Sequence, residues 1–182
     1  MTKNILVLTG SPRKDGNSDT LAQYFIKGAE KTGAEVQQVN TSKLKINACI
    51  ACDKCWEKDV PCVFRDDMDK IYPLLEWADT FVFACPLYFY TYSAQLKVVL
   101  DRLYSYEFRN RETVRGKNTV LLVTAGTENP DDFDGIVSSY KITCEYLGWN
   151  DKGIICADSL NAAGDILNTK WLEQAQKLGE SL

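Results

Sequence analysis

The sequence predicts an α/β fold in which helices cover both faces of a five-stranded parallel sheet. Five short apolar runs alternate with stretches of helical periodicity, which is the pattern of consecutive βα units. The 182 residues, 45% of them apolar, can supply one full hydrophobic core. Because no repeat, linker or low-complexity tract divides them, we expect a single domain over residues 1–182.

The first third of the chain predicts two strands and one helix. An apolar run at 5–8 is the first strand, and a short alternating run at 36–39 is the second. Residues 20–31 carry apolar side chains at helical spacing, and Gly33 ends that helix. A long cysteine-bearing excursion then occupies about residues 44–65.

The middle of the chain predicts a second helix, the central strand and a third helix. Asp66 and Asp67 fit the cap and first-turn acids of the second helix, which Pro73 is expected to kink. The run at 80–84 has the strongest strand character and should be buried on both faces. Residues 93–103 return to helical spacing.

The last third completes the alternation. Strands are expected at 119–124 and 153–157, and helices at 136–147 and 170–178. Gly148 follows the first of these helices directly, where a glycine commonly ends a helix.

The segment at 10–18, Gly-Ser-Pro-Arg-Lys-Asp-Gly-Asn-Ser, predicts a phosphate site. It joins the first strand to a helix start, where free backbone N–H groups and the helix dipole favour an anion. Gly16 is followed by Asn17 and Ser18, so the lysine and hydroxyl of a nucleoside triphosphate loop are missing. One arginine among hydroxyl and amide groups fits a monophosphate and favours flavin mononucleotide (FMN). The alternative is an ordinary βα turn.

Two further loops should meet this segment, because ligands of open parallel sheets bind beyond the carboxyl ends of the strands. The loop at 85–92 contains four aromatic residues, a composition suited to a flat ring. The alternative is an aromatic plug of the core. The loop at 124–128, Thr-Ala-Gly-Thr-Glu, is small enough to let a ligand approach the backbone.

The composition excludes several classes of protein. The chain has no histidine, which removes Ser-His-Asp hydrolysis, Cys-His proteolysis and histidine-based zinc sites. A net charge of −4 without a basic cluster argues against nucleic acid as a partner. No apolar run approaches the roughly 20 residues of a membrane span. We therefore expect a cytoplasmic protein with no membrane partner, whose chemistry depends on a cofactor.

Four of the seven cysteines have the spacing Cys49-x₂-Cys52-x₂-Cys55-x₆-Cys62. Closely spaced cysteines of this kind bind [4Fe–4S] clusters, although the last gap is longer than in bacterial ferredoxins. Tetrahedral zinc is an alternative, and so is a metal-free segment of dithiols or small buried residues. The remaining cysteines are expected in the core: Cys85, Cys144 and Cys156.

These motifs resemble those of flavodoxin-like NAD(P)H-dependent FMN reductases. The likeness rests on the loop at 10–18, on Pro-Leu-Tyr-Phe at 86–89, and on Ala-Gln-Leu-Lys at 94–97 followed by Asp-Arg at 101–102. The cysteine segment, with Asp-Asp-Met at 66–68, resembles the cysteine-bearing subgroup that includes iron–sulfur flavoproteins. The likeness extends from residue 3 to about residue 160.

The resemblance implies a doubly wound sheet in the order 2-1-3-4-5 and a homodimer or homotetramer. It also implies the site residues. The FMN phosphate would be held by Ser11, Arg13, Asn17 and Ser18. The ring would be lined by Pro86, Leu87, Tyr88 and Phe89 and, from the other side, by Thr124, Ala125 and Gly126. A cluster would be bound by Cys49, Cys52, Cys55 and Cys62.

The favoured hypothesis is an FMN-dependent oxidoreductase that takes a hydride from NAD(P)H. Its electrons would pass to a quinone, a flavin, an aromatic compound or a protein, and a [4Fe–4S] cluster would take part. One alternative is a non-enzymatic electron carrier resembling flavodoxin. Another is a structural zinc protein with a vestigial flavin fold.

Overall fold

The computed structural model of the chain describes residues 3–57, 61–107 and 111–182. At its centre is a parallel sheet of five strands in the order β2-β1-β3-β4-β5, which confirms the expected topology. The strands are β1 (Asn4–Thr9), β2 (Glu35–Asn40), β3 (Thr80–Pro86), β4 (Asn118–Thr124) and β5 (Asn150–Ala157). The strand β3 is central and buried along almost its whole length, as its sequence predicts.

Helices cover both faces of this sheet. They are α1 (Asn17–Lys31), α2 (Lys54–Glu57), α3 (Tyr72–Trp77), α4 (Ala94–Arg102), α5 (Asp134–Leu147) and α6 (Lys170–Glu180). One apolar cluster joins the sheet to α1 and α6, and the other joins it to α3, α4 and α5. Within the described ranges, none of the helices combines the length and apolar content needed to cross a bilayer.

Two glycines let α1 and α6 approach each other at backbone distance. A Cβ added to Gly28 would overlap the carbonyl oxygen of Gln176, and one added to Gly179 would overlap that of Phe25. The close crossing fixes α1 against the sheet, and the N-terminus of α1 lies at the carboxyl end of β1.

The region after Asp66 differs from the expected single kinked helix. A 3₁₀ turn (Asp67–Lys70) comes first, and α3 begins separately at Tyr72. Pro73 lies in the first turn of α3, where its missing N–H removes no helical hydrogen bond. Asp66 is a cap as expected, because its Oδ1 accepts a hydrogen bond from the backbone N–H of Met68 at 3.1 Å.

The same two aspartates close the cysteine-bearing excursion. The Oδ2 atom of Asp66 accepts hydrogen bonds from the backbone and side-chain nitrogens of Asn47, each at 3.0 Å. The Oδ2 atom of Asp67 accepts one from the backbone N–H of Lys45 at 2.8 Å. The two ends of the excursion therefore lie side by side, next to α4.

Candidate functional site

A cavity of about 230 Å³ opens at the carboxyl ends of β1, β3 and β4. The residues that line it come from four loops, although the sequence pointed to three. They are Ser11, Arg13, Gly16, Asn17, Ser18, Pro86, Leu87, Tyr88, Thr124, Ala125, Gly126, Leu160 and Asn161. Every residue expected around FMN lines this cavity except Phe89.

The loop after β1 wraps the N-terminus of α1. Gly16 caps the helix in an extended conformation, and the hydroxyl of Ser11 accepts a hydrogen bond from the backbone N–H of Arg13 at 3.3 Å. A Cβ on Gly16 would lie 2.7 Å from that hydroxyl oxygen, so a side chain there would fill the space between loop and helix. The first N–H groups of α1 lack intrahelical partners. The result is a concave set of donors suited to an anion.

The side chain of Asn17, which the family resemblance assigns to the phosphate, also forms hydrogen bonds with the loop after β5. Its Nδ2 donates to the carbonyl oxygen of Ala162 at 2.8 Å, and its Oδ1 accepts from the N–H groups of Gly164 (3.0 Å) and Ile166 (3.3 Å). The side chain therefore fixes the loop after β5, and the second hydrogen of its Nδ2 remains a donor for a phosphate.

Asp19 lies in the first turn of α1, beside this anion site. Burial and the charge of Asp15 raise its pKa, while the nearby Thr9 hydroxyl and the charge of Lys43 act in the opposite direction.

The aromatic loop after β3 contains a tight turn. The backbones of Tyr88 and Thr91 exchange two hydrogen bonds at 3.1 Å each, and the residues between them, Phe89 and Tyr90, have φ values of 45° and 64°. Left-handed backbone is unusual for bulky residues and indicates strain. Phe89 is 97% exposed and does not line the cavity, whereas Tyr88 does.

Backbone hydrogen bonds join the loops that follow β3, β4 and β5. The N–H of Leu87 donates to the carbonyl oxygen of Thr124, and the N–H of Leu160 donates to that of Ala125, both at 2.9 Å. A Cβ on Gly126 would collide with the side chain of Asn161. The far wall of the cavity is therefore made of backbone, as the small residues after β4 predict.

A second, smaller cavity of about 20 Å³ lies within the cysteine-bearing excursion. It is lined by Cys49, Ile50, Cys52, Asp53, Cys55, Cys62, Phe64, Arg102, Tyr104 and Ser105. Ala51 and Asp53 have φ values of 49° and 58°, so the chain turns sharply between the first three cysteines. The structure brings all four cysteines of the motif to one place.

The surroundings of this second cavity disfavour the deprotonated form of its cysteines when no metal is bound. Burial raises the pKa of the Cys55 thiol, and the nearby cysteines of the motif raise it further. Among the residues described, no three cysteine or carboxylate side chains lie close enough together to hold a metal ion. Of the other cysteines, Cys85 and Cys144 are buried as expected, and Cys156 is partly exposed.

Arg102 forms one wall of the cysteine cavity and is almost completely buried, with 1% of its side chain exposed. Its Nη1 donates to the carboxylate of Asp66 and to the carbonyl oxygen of Asn47, both at 2.9 Å, and its Nη2 donates to the hydroxyl of Tyr72 at 3.1 Å. Burial alone would lower the pKa of Arg102, but the bonds to Asp66 and Tyr72 raise it. The guanidinium therefore stays charged.

One donor of this guanidinium has no partner. The Nε atom of Arg102 is buried and has no hydrogen-bond acceptor among the described residues. An unsatisfied charged donor is costly in a protein interior. Because Arg102 lines the cavity, a group with anionic acceptor atoms there, such as the sulfurs of a metal–thiolate centre, would complement it.

The sheet order and the position of the cavity define a flavodoxin-like α/β protein whose site lies at the switch in strand order. The chain belongs to the NADPH-dependent FMN reductase family, whose sequence profile matches residues 3–131.

Named relatives agree with this assignment. Over 132 residues the chain is 37% identical to an iron–sulfur flavoprotein of Archaeoglobus fulgidus, covering 72% of this chain and 59% of that protein. The chain thus spans about three fifths of that relative.

Solved structures with low sequence identity share the fold. An NAD(P)H:quinone oxidoreductase from Methanothermobacter marburgensis superposes with a TM-score of 0.77 at 17% identity, covering 100% of this chain and 97% of that one. An FMN-dependent NADH-azoreductase from Bacillus anthracis, in complex with FMN, gives a TM-score of 0.71 at 15% identity, covering 98% and 99%.

Sequence reasoning missed Gly16, Leu160 and Asn161 in the first cavity and Arg102 in the second. Gly16 could have been predicted from the sequence, since it lies inside the segment already assigned to the phosphate. Leu160 and Asn161 could not, because they reach the cavity only through the hydrogen bonds that fix the loop after β5.

Proposed function

We propose that the cavity at the carboxyl ends of β1, β3 and β4 binds FMN, with the phosphate at the start of α1. The observation that carries this proposal is the convergence of the loop at 10–18 with the loops after β3 and β4 on one cavity. When bound, FMN would supply hydride acceptance from NAD(P)H and electron delivery to a second substrate.

The chain's own residues would bind and orient this cofactor. The N–H groups at the start of α1, the Ser11 hydroxyl and the exposed guanidinium of Arg13 supply donors for a phosphate. Tyr88 and Leu87 offer a partly exposed apolar surface, and the backbone around Gly126 offers close approach from the opposite side. A planar ring would be positioned by these groups.

The proposed reaction is the transfer of a hydride from NAD(P)H to the bound flavin, followed by reduction of a small molecule or a protein. We expect anaerobic mixing of the FMN-loaded protein with NADPH or NADH to bleach the visible flavin absorbance within seconds. A quinone added afterwards should restore it. No bleaching by either nucleotide, with FMN bound, would contradict this activity and favour the non-enzymatic electron carrier.

For the cysteine segment we propose a [4Fe–4S] cluster bound by Cys49, Cys52, Cys55 and Cys62. One observation favours a cluster over a single zinc ion, and a second agrees with either sulfur-ligated centre. A ZnCys₄ site needs neighbouring sulfurs about 3.8 Å apart, from the ~2.3 Å Zn–S bond, whereas the described cysteines share a cavity without such a tight group. The unpartnered Nε of Arg102 fits the anionic sulfurs of a cluster and of a zinc–tetrathiolate centre alike.

Replacing one of these cysteines should remove the cluster without removing FMN. Protein prepared anaerobically should contain about four iron and four sulfide per chain, and Cys52→Ala should lose most of both. Cys156→Ala is the matched control, because Cys156 lies outside the cavity. FMN fluorescence should report equal flavin binding by all three proteins. Wild-type protein free of iron, or carrying one zinc per chain, would refute the cluster.

Two further expectations remain part of the proposal. All seven cysteines are free thiols, which agrees with a reducing, cytoplasmic compartment. The homodimer or homotetramer implied by the family resemblance is a prediction that sedimentation analysis can test.

A further inference from the structure

A third cavity is larger than either of the two above. It is a cleft of about 740 Å³ between α4, α5 and the cysteine-bearing excursion. Its lining residues are Cys49, Ala51, Trp56, Tyr92, Lys97, Leu100, Asp101, Leu103, Tyr104, Glu107, Ser139, Thr143, Tyr146 and Leu147. The volume lies within the range of sites for small organic ligands.

Aromatic side chains form two sides of this cleft. On the side of the excursion, the rings of Trp56 and Tyr104 lie 5.0 Å apart and are tilted by 45°. The hydroxyl of Tyr104 is held by Asp53 at 3.0 Å. On the side of α5, Tyr146 is 60% exposed, and its hydroxyl donates to Glu107 at 2.9 Å. These contacts hold the aromatic walls in place and favour a flat ligand between them.

The charges of the lining restrict the ligand further. Asp101 and Glu107 are acidic, and the one cation among the described lining residues, Lys97, is paired with Asp101. The described part of the lining therefore carries no net positive charge with which to bind phosphates, which argues against a nicotinamide dinucleotide here. The hydroxyl groups of Ser139 and Thr143 and the ammonium group of Lys97 are donors that suit carbonyl oxygens.

The cleft shares two walls with the cysteine cavity, since Cys49 and Tyr104 line both. We propose that the cleft binds an uncharged, planar aromatic carbonyl compound of the quinone class, at a site separate from the FMN cavity. Its role as electron acceptor rests on the proposed function. Overall, NAD(P)H and one proton from solvent would reduce the quinone to a hydroquinone and release NAD(P)⁺. The nicotinamide would be oxidised at the FMN cavity, and the quinone would take up two electrons and two protons in the cleft.

The test is binding without turnover. Equilibrium dialysis of the oxidised, FMN-loaded protein would use anthraquinone-2-carboxamide, an uncharged three-ring quinone, and anthraquinone-2,6-disulfonate, which has the same rings and two negative charges. We expect saturable binding of the carboxamide and about tenfold weaker binding of the disulfonate at low salt.

A matched pair of variants locates the site. Ser139 lines the cleft and Ser138 does not, although both lie on α5. We expect Ser139→Trp to weaken carboxamide binding about tenfold or more and Ser138→Trp to leave it unchanged. Circular dichroism and FMN binding should show that both variants are folded.

Three results would overturn the inference. The first is equal carboxamide binding by Ser139→Trp and Ser138→Trp, and the second is tighter binding of the disulfonate than of the carboxamide. The third is a change in oligomeric state on Ser139→Trp with carboxamide binding unaltered, which would make a second copy of the chain the occupant of the cleft. Failure of the protein to bind FMN would instead refute the proposed function, and dialysis would still report on the cleft.

Discussion

Arg102→Met should destabilise the protein by about 3–5 kcal/mol, the usual cost of breaking a buried ion pair by removing one partner. The variant keeps most of the apolar side-chain volume but leaves the Asp66 carboxylate, only 5% exposed, without its cation. It also removes the donors to Asn47 and Tyr72. Asp66 joins the two ends of the excursion and caps the turn before α3. Removing its cation should therefore weaken both structures.

Lys97→Met is the matched control, since Lys97 lies on the same helix and pairs with Asp101 at the surface. Its effect should stay within about 1 kcal/mol, as for other exposed ion pairs. Urea unfolding of reduced, metal-free proteins at pH 7 measures both free energies. If both variants lost the same small amount of unfolding free energy, the Arg102–Asp66 pair would contribute no more than an exposed ion pair.

The stability difference between wild type and Arg102→Met should depend on pH. Burial by itself would raise the pKa of Asp66, but hydrogen bonds from Arg102, Asn47 and Met68 outweigh it and lower the pKa. A lowered folded-state pKa stabilises the protein above the unfolded value of about 4 and loses that contribution as pH falls through the folded value. The gap between wild type and Arg102→Met should therefore narrow below about pH 4.

The sequence was sufficient for the sheet and for the loops that form the first cavity. Continuous apolar runs such as that in β3 are typical of buried parallel strands, and their carboxyl ends must meet at one edge. The loop at 10–18 predicted an anion site at a helix N-terminus, because glycines, hydroxyl groups and an amide follow a strand and precede a helical pattern. These are local signals, which a single chain carries without any knowledge of its neighbours.

The remaining features depend on contacts between distant parts of the chain. Asn17 is expected to hold the phosphate, and its side chain also binds residues about 145 positions away, a contact that the sequence does not signal. The exposed position of Phe89 follows from a left-handed aromatic turn that lacks the usual Asn-Gly signal. Arg102 has the sequence context of a cation in the last turn of a helix, and only its tertiary contacts show that it is buried.

The central claim is that the start of α1 binds the single phosphate of a flavin. Charge-assisted contacts contribute about 1.5–3 kcal/mol each, so removing the phosphate should weaken flavin binding about 100-fold or more if two such contacts are lost. The exposed guanidinium of Arg13 is one of these donors. Arg13→Ala should therefore weaken FMN binding about tenfold or more and barely affect riboflavin. Lys14→Ala is its control, because Lys14 is exposed nearby but does not line the cavity.

Fluorescence titration of the flavin-free protein with FMN and with riboflavin tests this claim most directly. We expect FMN to bind about 100-fold more tightly than riboflavin or better, with the difference reduced in Arg13→Ala and kept in Lys14→Ala. Equal affinities for FMN and riboflavin, or tighter binding of a flavin diphosphate such as FAD, would contradict the account.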